Sequence, residues 1–245
     1  MFKKGGVGGV DIESGCNGGA GGAQIYPGMT EDPKMRWAFI RKVYAIVCTQ
    51  LLVTAVIATA MFFTPAVKDY MRTPFGFATL IVLIVIAFIL CFFMGRYGRK
   101  HPWNYVLMTV FTLCLAFVVG AACAFKRGPT ILTAAGLTVL ITVSLTLYTF
   151  WAARRGMDFS FLGPFLFCAS IVLIFFLLAQ YILHLGREGR MVYSCLAALL
   201  FSAYIIYDTN NLIRNFTYDE YVIAAICLFG DIVNLFLALL GVTGE

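Results

Sequence analysis

The stretch LIVLIVIAFILCFF, residues 80–93, is an unbroken run of apolar side chains. Such a run is apolar on every face of a helix, whereas a strand of a membrane barrel would alternate apolar with polar residues. A helix that spans the hydrocarbon core of a bilayer needs about 20 mostly apolar residues. The run and its apolar flanks, residues 75–94, therefore predict a transmembrane helix.

Six other stretches of the chain are as long and similarly apolar. With the first they predict seven transmembrane segments, at residues 43–63, 75–94, 103–125, 131–151, 161–183, 191–213 and 221–240. Five of the seven prolines lie between these segments or at their ends, where they do not interrupt a helix. The predicted fold class is therefore all-α, a polytopic membrane protein with seven transmembrane helices.

The composition agrees with this class. Of the 245 residues, 61% are hydrophobic and 12% are charged, whereas a soluble domain carries about 25% charged residues. This excludes a soluble enzyme, a disordered chain and a small disulfide scaffold. We expect membrane lipid as a partner, and neither enzymatic activity, a resident cofactor nor a nucleic-acid partner.

The first 36 residues differ from the rest because they include ten glycines, whose ordering costs much backbone entropy. We predict a flexible cytosolic tail at residues 1–36 and a transmembrane bundle at residues 37–245. Twelve of the 18 Lys and Arg residues lie in the tail and in the connections on its side of the membrane, against six on the other side. Because cytoplasmic segments are enriched in Lys and Arg, the N-terminus is expected in the cytosol.

Two carboxylates, Asp208 and Asp231, lie inside the apolar segments. A carboxylate in hydrocarbon costs several kcal/mol unless it is neutral, paired or hydrated. The short connection makes the last two helices antiparallel neighbours, so that both side chains lie towards the cytosolic half and can face each other. Helical spacing adds possible polar support, from Tyr204, Tyr207, Asn211 and Asn234.

This pair has two interpretations. It can be a structural link in which the aspartates share a proton, or a pH sensor and gate, because adjacent carboxylates do not both ionise cheaply. When deprotonated, Asp208 and Asp231 offer oxygen ligands to Ca²⁺, although two carboxylates are too few for a high-affinity site. Weak coordination is what ion conduction requires.

Five sequence pieces occur in order from about residue 36 to residue 240. They are FIRKVY at 39–44, HPWNY at 101–105, FTL at 111–113, IYDT at 206–209 and GDIVNLFL at 230–237. Together they resemble the transmembrane Bax inhibitor motif family, in its Lifeguard branch. Members of this family often carry a glutamate in the third helix. This chain lacks it and has CLAF at 114–117 instead.

The resemblance implies a seven-helix fold with the last helix central. It also implies a pH-dependent Ca²⁺ leak across a cellular membrane, with Ca²⁺ and protons as the transported or sensed ions and Asp208 and Asp231 as the sensor. A role in restraining programmed cell death, with membrane proteins of cell-death regulation as partners, is implied by the resemblance alone. The endoplasmic reticulum or the Golgi is favoured over the plasma membrane.

Three alternatives stay open from the sequence. One is a non-conducting membrane protein that regulates cell death through partners, and another is a proton-coupled transporter, because acidic groups in the membrane serve both. The third is an intramembrane aspartyl protease, which Tyr207-Asp208 fits. Its second motif requires Gly-x-Gly-Asp, and Leu228 replaces the first glycine.

Overall fold

The computed structural model describes residues 24–29, 31–97, 103–184 and 186–244. This part of the chain is helical and contains no strand. Its α-helices are α1 (Pro33–Phe63), α2 (Pro65–Met71), α3 (Pro74–Tyr97), α4 (Trp103–Ala124), α5 (Gly128–Arg154), α6 (Leu162–Leu183), α7 (Gly186–Arg214) and α8 (Tyr221–Thr243), with a 3₁₀ turn at Tyr218–Glu220.

Seven of these helices, all except α2, are long and apolar enough to cross a membrane. The predicted all-α, seven-span architecture is confirmed. The bounds differ where polar residues continue a helix beyond its apolar part. Helix α1 begins ten residues before the predicted segment, because Asp32 caps its N-terminus by accepting from the Lys34 backbone N–H at 2.9 Å and Pro33 occupies the first turn.

The last helix lies at the centre of the bundle. Helix α8 packs against α1, α4, α5 and α7. In its apolar stretch 67% of the residues are buried, whereas the corresponding stretches of the other spanning helices are 6% to 44% buried. Phe229 of α8 is fully buried and meets Phe111 of α4 edge to face, with ring centroids 6.3 Å apart. Lipid-facing side chains therefore belong mainly to the other six helices.

Contacts at both ends show that α8 runs the full length of the bundle. We call the side where α1 begins, at Pro33, the proximal face, and the side where α1 ends, at Phe63, the distal face. At the proximal face the Tyr221 hydroxyl lies 2.6 Å from that of Tyr105 at the start of α4. At the distal face Lys126, after the end of α4, donates to the Gly244 carbonyl at 3.0 Å.

The residues just before α1 pack on the proximal face. The side chains of Ile25 and Met29 are buried, and the predicted boundary at residue 36 falls inside α1. Residues 1–23 and 30, which make up most of the predicted tail, lie outside the described residues. Arg36 is 2% exposed; it donates to the Phe216 carbonyl at 2.6 Å and pairs with Glu31 at 2.8 Å. This guanidinium links the start of α1 to the α7–α8 connection.

Gly120 of α4 provides a prediction about packing. A Cβ atom at this position would collide with the Met61 side chain and lie 3.3 Å from the Ala58 Cα of α1. Gly120→Val should therefore lower the free energy of unfolding by about 1–3 kcal/mol through overpacking. The apparent melting temperature of the detergent-solubilised protein measures this.

The matched control is Gly136→Val in α5, because a Cβ there meets no atom within 4 Å. Both substitutions carry the same cost of a β-branched residue in a helix. Equal melting temperatures for the two variants would contradict the close approach of α1 and α4.

Candidate functional site

The candidate site lies between α7 and α8. A tight connection makes the two helices antiparallel: Thr217 caps the 3₁₀ turn together with Glu220, whose carboxylate accepts from the Thr217 backbone N–H at 3.0 Å. Asp208 lies about 9 Å of helix rise before the end of α7, and Asp231 about 15 Å after the start of α8. Both therefore lie below the proximal face, inside the apolar region.

The two carboxyl groups meet within hydrogen-bonding distance across the helix interface. Asp231 is 9% exposed, and its Oδ2 atom makes no hydrogen bond with the described part of the chain. The Cys227 thiol, one turn earlier on α8, is near both carboxyls. None of the described lysines or arginines is among the groups that act on this acidic pair.

Two of the four predicted polar supports lie at the pair. Asn211 is hydrogen-bonded to Asp208 and accepts from the Asn215 side chain at 2.8 Å. Tyr204 is close to both carboxyls, and its hydroxyl lies 2.8 Å from that of Ser170 on α6.

The other two predicted supports have different surroundings. Tyr207 points to α6, where its hydroxyl packs over the backbone of Gly163. Asn234 lies one turn beyond Asp231 on α8, and among the described contacts none joins it to either carboxyl.

A metal ion would find only two carboxylates here. In the described ranges there is no cluster of three or more His, Cys, Asp or Glu side chains. A high-affinity Ca²⁺ site requires six to eight oxygen ligands. The acidic pair can therefore supply only part of the coordination of a cation. The nearby Asn211 amide oxygen already accepts a hydrogen bond from Asn215.

A second polar contact, which sequence reasoning missed, anchors α7 at the proximal face. Asp158, in the α5–α6 connection, accepts from the buried Asn210 side chain at 2.9 Å and from the Ser160 hydroxyl at 2.7 Å. Hydrogen bonding from Ser160 lowers the pKa of the Asp158 carboxyl, with Asn210 and Arg214 also contributing. The signal in the sequence was Asn210 itself, an amide next to Asp208 and Thr209 in an apolar helix.

Buried hydroxyl groups from three helices lie together around Thr209, the residue that follows Asp208 in the sequence. The Tyr44 hydroxyl of α1 lies beside those of Thr146 on α5 and Thr209 on α7. Thr209 is fully buried and directly follows Asp208. The proximal half of the bundle thus contains uncharged polar groups on one side of α7 and the acidic pair on another.

The fold and this site define a polytopic α-helical membrane protein with an acidic pair inside its spanning region. The chain belongs to the family described as "Inhibitor of apoptosis-promoting Bax1", whose model matches residues 36–245. The match begins within the first turn of α1 and covers the six other spanning helices completely.

The chain is similar to several proteins of this kind over most of its length. It is 52% identical to "Protein LIFEGUARD 4" of Arabidopsis thaliana over 231 residues, which are 94% of this chain and 93% of that protein. It is 53% identical to "Protein LIFEGUARD 3" of the same organism, over 89% of this chain and 88% of that one. A "Golgi anti-apoptotic protein" of Vaccinia virus (strain Lister) is 39% identical, over 84% of each chain.

The Asp158 anchor predicts a pH-dependent stability. Because the pKa of Asp158 is lowered in the folded protein, its charge stabilises the fold above the ordinary pKa of about 3.9, and this contribution disappears as the pH falls through the folded value. Asp158→Asn should therefore lower the free energy of unfolding at neutral pH by less than about 1 kcal/mol, because the side chain is exposed, and the melting temperature should fall slightly. The deficit should shrink upon acidification below about pH 4.

Asp69→Asn is the matched control, since Asp69 lies on the exposed helix α2 and its nearest cation is Arg72 at 4.0 Å. A deficit for Asp158→Asn that stays constant or grows at acid pH would contradict the proposed anchor.

Proposed function

We propose that this protein is a pH-sensitive Ca²⁺ leak that restrains programmed cell death, with Asp208 and Asp231 as its sensor and gate. The observation that carries the proposal is the contact between these two carboxyl groups inside the spanning region. The N-terminus and the proximal face are in the cytosol, as the distribution of Lys and Arg favours.

The first step of the mechanism concerns the proton. Two carboxylates in contact repel each other strongly where water is scarce, so the pair keeps its contact by sharing a proton. Loss of that proton leaves two negative charges with no neighbouring lysine or arginine in the described surroundings. The repulsion then acts directly on the α7–α8 interface, which is the most extensive contact between described helices.

The second step concerns the cation. Deprotonated Asp208 and Asp231 are hard oxygen ligands that attract Ca²⁺, and two such ligands bind it weakly enough to release it. The apolar segment at residues 114–117 of α4 adds no carboxylate, so the pair supplies the negative charge at this depth. Asn211 and Asn215, which are hydrogen-bonded to each other, lie between Asp208 and the proximal end of α7 and provide polar groups on the cytosolic side of the pair.

Cell death and localisation are supported by the relatives. The family is described by inhibition of an apoptosis-promoting protein, and the Vaccinia virus relative is called a Golgi anti-apoptotic protein. We place the present protein in an internal membrane, the endoplasmic reticulum or the Golgi. There it lowers stored Ca²⁺, and membrane proteins of cell-death regulation are its candidate partners.

Flux measurements on purified protein test this proposal. Full-length protein in sealed vesicles that contain a Ca²⁺ indicator should raise the Ca²⁺ flux above that of protein-free vesicles, and the flux should change with pH. Asp208→Asn and Asp231→Asn each replace one titrating carboxyl by an amide, so each should largely abolish the pH dependence. Asp69→Asn, on the exposed helix α2, should keep the wild-type profile.

Two results would contradict the proposal. Wild-type vesicles without any Ca²⁺ flux would favour the non-conducting interaction protein, and flux with an unaltered pH profile in both variants would remove the acidic pair from the mechanism. Expression of the same variants in cells exposed to a death stimulus then distinguishes the roles, because an effect that depends on the pH-regulated leak changes with Asp208→Asn and an effect through partners is retained.

A further inference from the structure

A groove of about 540 Å³ runs along the distal half of the bundle, between α1 and α5. We call it the distal groove. Its floor consists of residues from α4 and α8, among them Val119, Cys123 and Ile232. Its volume lies in the range of about 300–1,000 Å³ that is typical of ligand sites.

Each wall of the distal groove is one continuous stripe of a helix. The α1 wall has the helical spacing of residues 51, 54, 55, 58, 59 and 62, and the α5 wall that of residues 128, 131, 132, 135, 138 and 139. Each stripe covers eleven residue steps, or about 16 Å of helix rise. Half of the hydrocarbon core of a bilayer is about 15 Å thick. The groove therefore runs from the distal interface to the middle of the membrane.

The lining contains no charged residue, and its three hydroxyl groups belong to Thr54, Thr59 and Thr138. The Thr54 hydroxyl donates to the Gln50 carbonyl at 2.8 Å, and the Thr138 hydroxyl donates to the Ala134 carbonyl at 2.7 Å. The hydroxyls of Thr54 and Thr138 are therefore satisfied within their own helices. A polar or water-soluble ligand would lose its hydrogen bonds with water and find at most the Thr59 hydroxyl in exchange.

The groove opens sideways to the membrane. Leu132 and Val139 on its α5 edge are 75% and 63% exposed, and small residues, Ala55 and Ala135, keep the entrance wide. In a bilayer, this opening faces the acyl chains of the distal leaflet. At its outer end, next to Gly128, Arg127 is exposed and takes part in neither of the ion pairs found in the described ranges.

We propose that the distal groove binds one acyl chain of a phospholipid from the distal leaflet, with the phosphate of its headgroup at the level of Arg127. Length, apolar lining and the position of the cation all match a phospholipid. The helix of a second copy, which is about 10 Å across with its side chains, is wider than an acyl chain. The proposal is independent of ion conduction.

Photolabelling of the full-length protein tests the proposal. The protein is reconstituted in phosphatidylcholine vesicles that contain a small fraction of phosphatidylcholine with a diazirine in the middle of one acyl chain. The α8 residues Ile232 and Phe236 belong to the lining of the groove, and Phe236 is partly exposed, so a lipid chain reaches them only by entering the groove. We expect labelled peptides to include residues 232–236 of α8.

Variants that fill the groove should exclude the chain. Ala55→Phe and Ala135→Phe, on opposite walls, should each lower the labelling of residues 232–236 by about tenfold, the change that ~1.4 kcal/mol of binding free energy produces. Leu140→Phe is the matched control, because Leu140 is 63% exposed on α5 outside the groove. It should leave that labelling unchanged.

The proposal is overturned if residues 232–236 of the wild-type protein remain unlabelled while the exposed faces of α3 and α6 are labelled. It is also overturned if both groove-filling variants label α8 as the wild type does. Disulfide cross-links between two copies that carry Leu132→Cys and Phe62→Cys, formed with an added oxidant and absent from the wild type, would also overturn it and assign the groove to self-association. The wild-type pattern decides the question even if a filled variant does not fold.

Discussion

The hydrocarbon core of a membrane offers no hydrogen-bond partners to a polypeptide, and the structure follows from this constraint. Every backbone group in the spanning region must be paired within its own helix, which explains the seven long helices. Threonines in these helices obey the same rule: the hydroxyls of Thr54, Thr109 and Thr138 donate to carbonyls one turn earlier. Once backbone and hydroxyls are satisfied, only a few polar side chains remain to distinguish one helix interface from another.

The acidic pair is the costliest of these exceptions, and its position explains why α8 is central. A carboxyl at the lipid-facing surface would meet hydrocarbon, whereas Asp231 on the most buried helix meets Asp208, its one strong partner. No lysine or arginine of the described ranges acts on the pair, so no neighbouring positive charge from that part of the chain neutralises it. A nearby lysine or arginine would have fixed both charges and converted the site into a permanent salt bridge.

The sequence predicted what depends on composition and short-range spacing, and missed what depends on distant contacts. Apolar runs located all seven spanning helices, and the charges within them pointed to Asp208 and Asp231. The ends were less predictable, because Asp32 and Pro33 extend α1 by local capping that hydropathy does not register. The link between Asp158 and Asn210 joins positions 52 residues apart, and Arg36 reaches Phe216 across 180 residues. From the sequence, Asp158 and Arg36 resembled ordinary charged residues of the connections, because their partners are distant in sequence and close only in the folded structure.

Helical geometry makes α8 the element shared by the two sites. Successive residues of a helix point about 100° apart, so Asp231 faces α7 while the next residues, Ile232 and Val233, face the distal groove. The helix is rigid and packed on several sides, and a tightly packed interior transmits displacement. An acyl chain that fills the groove would therefore contact the same turn of α8 that carries the Asp231 carboxyl. Under the two proposals, lipid occupancy of the groove and protonation of the pair would act on different faces of the same turn of α8, and this turn would connect the membrane physically with the acidic pair.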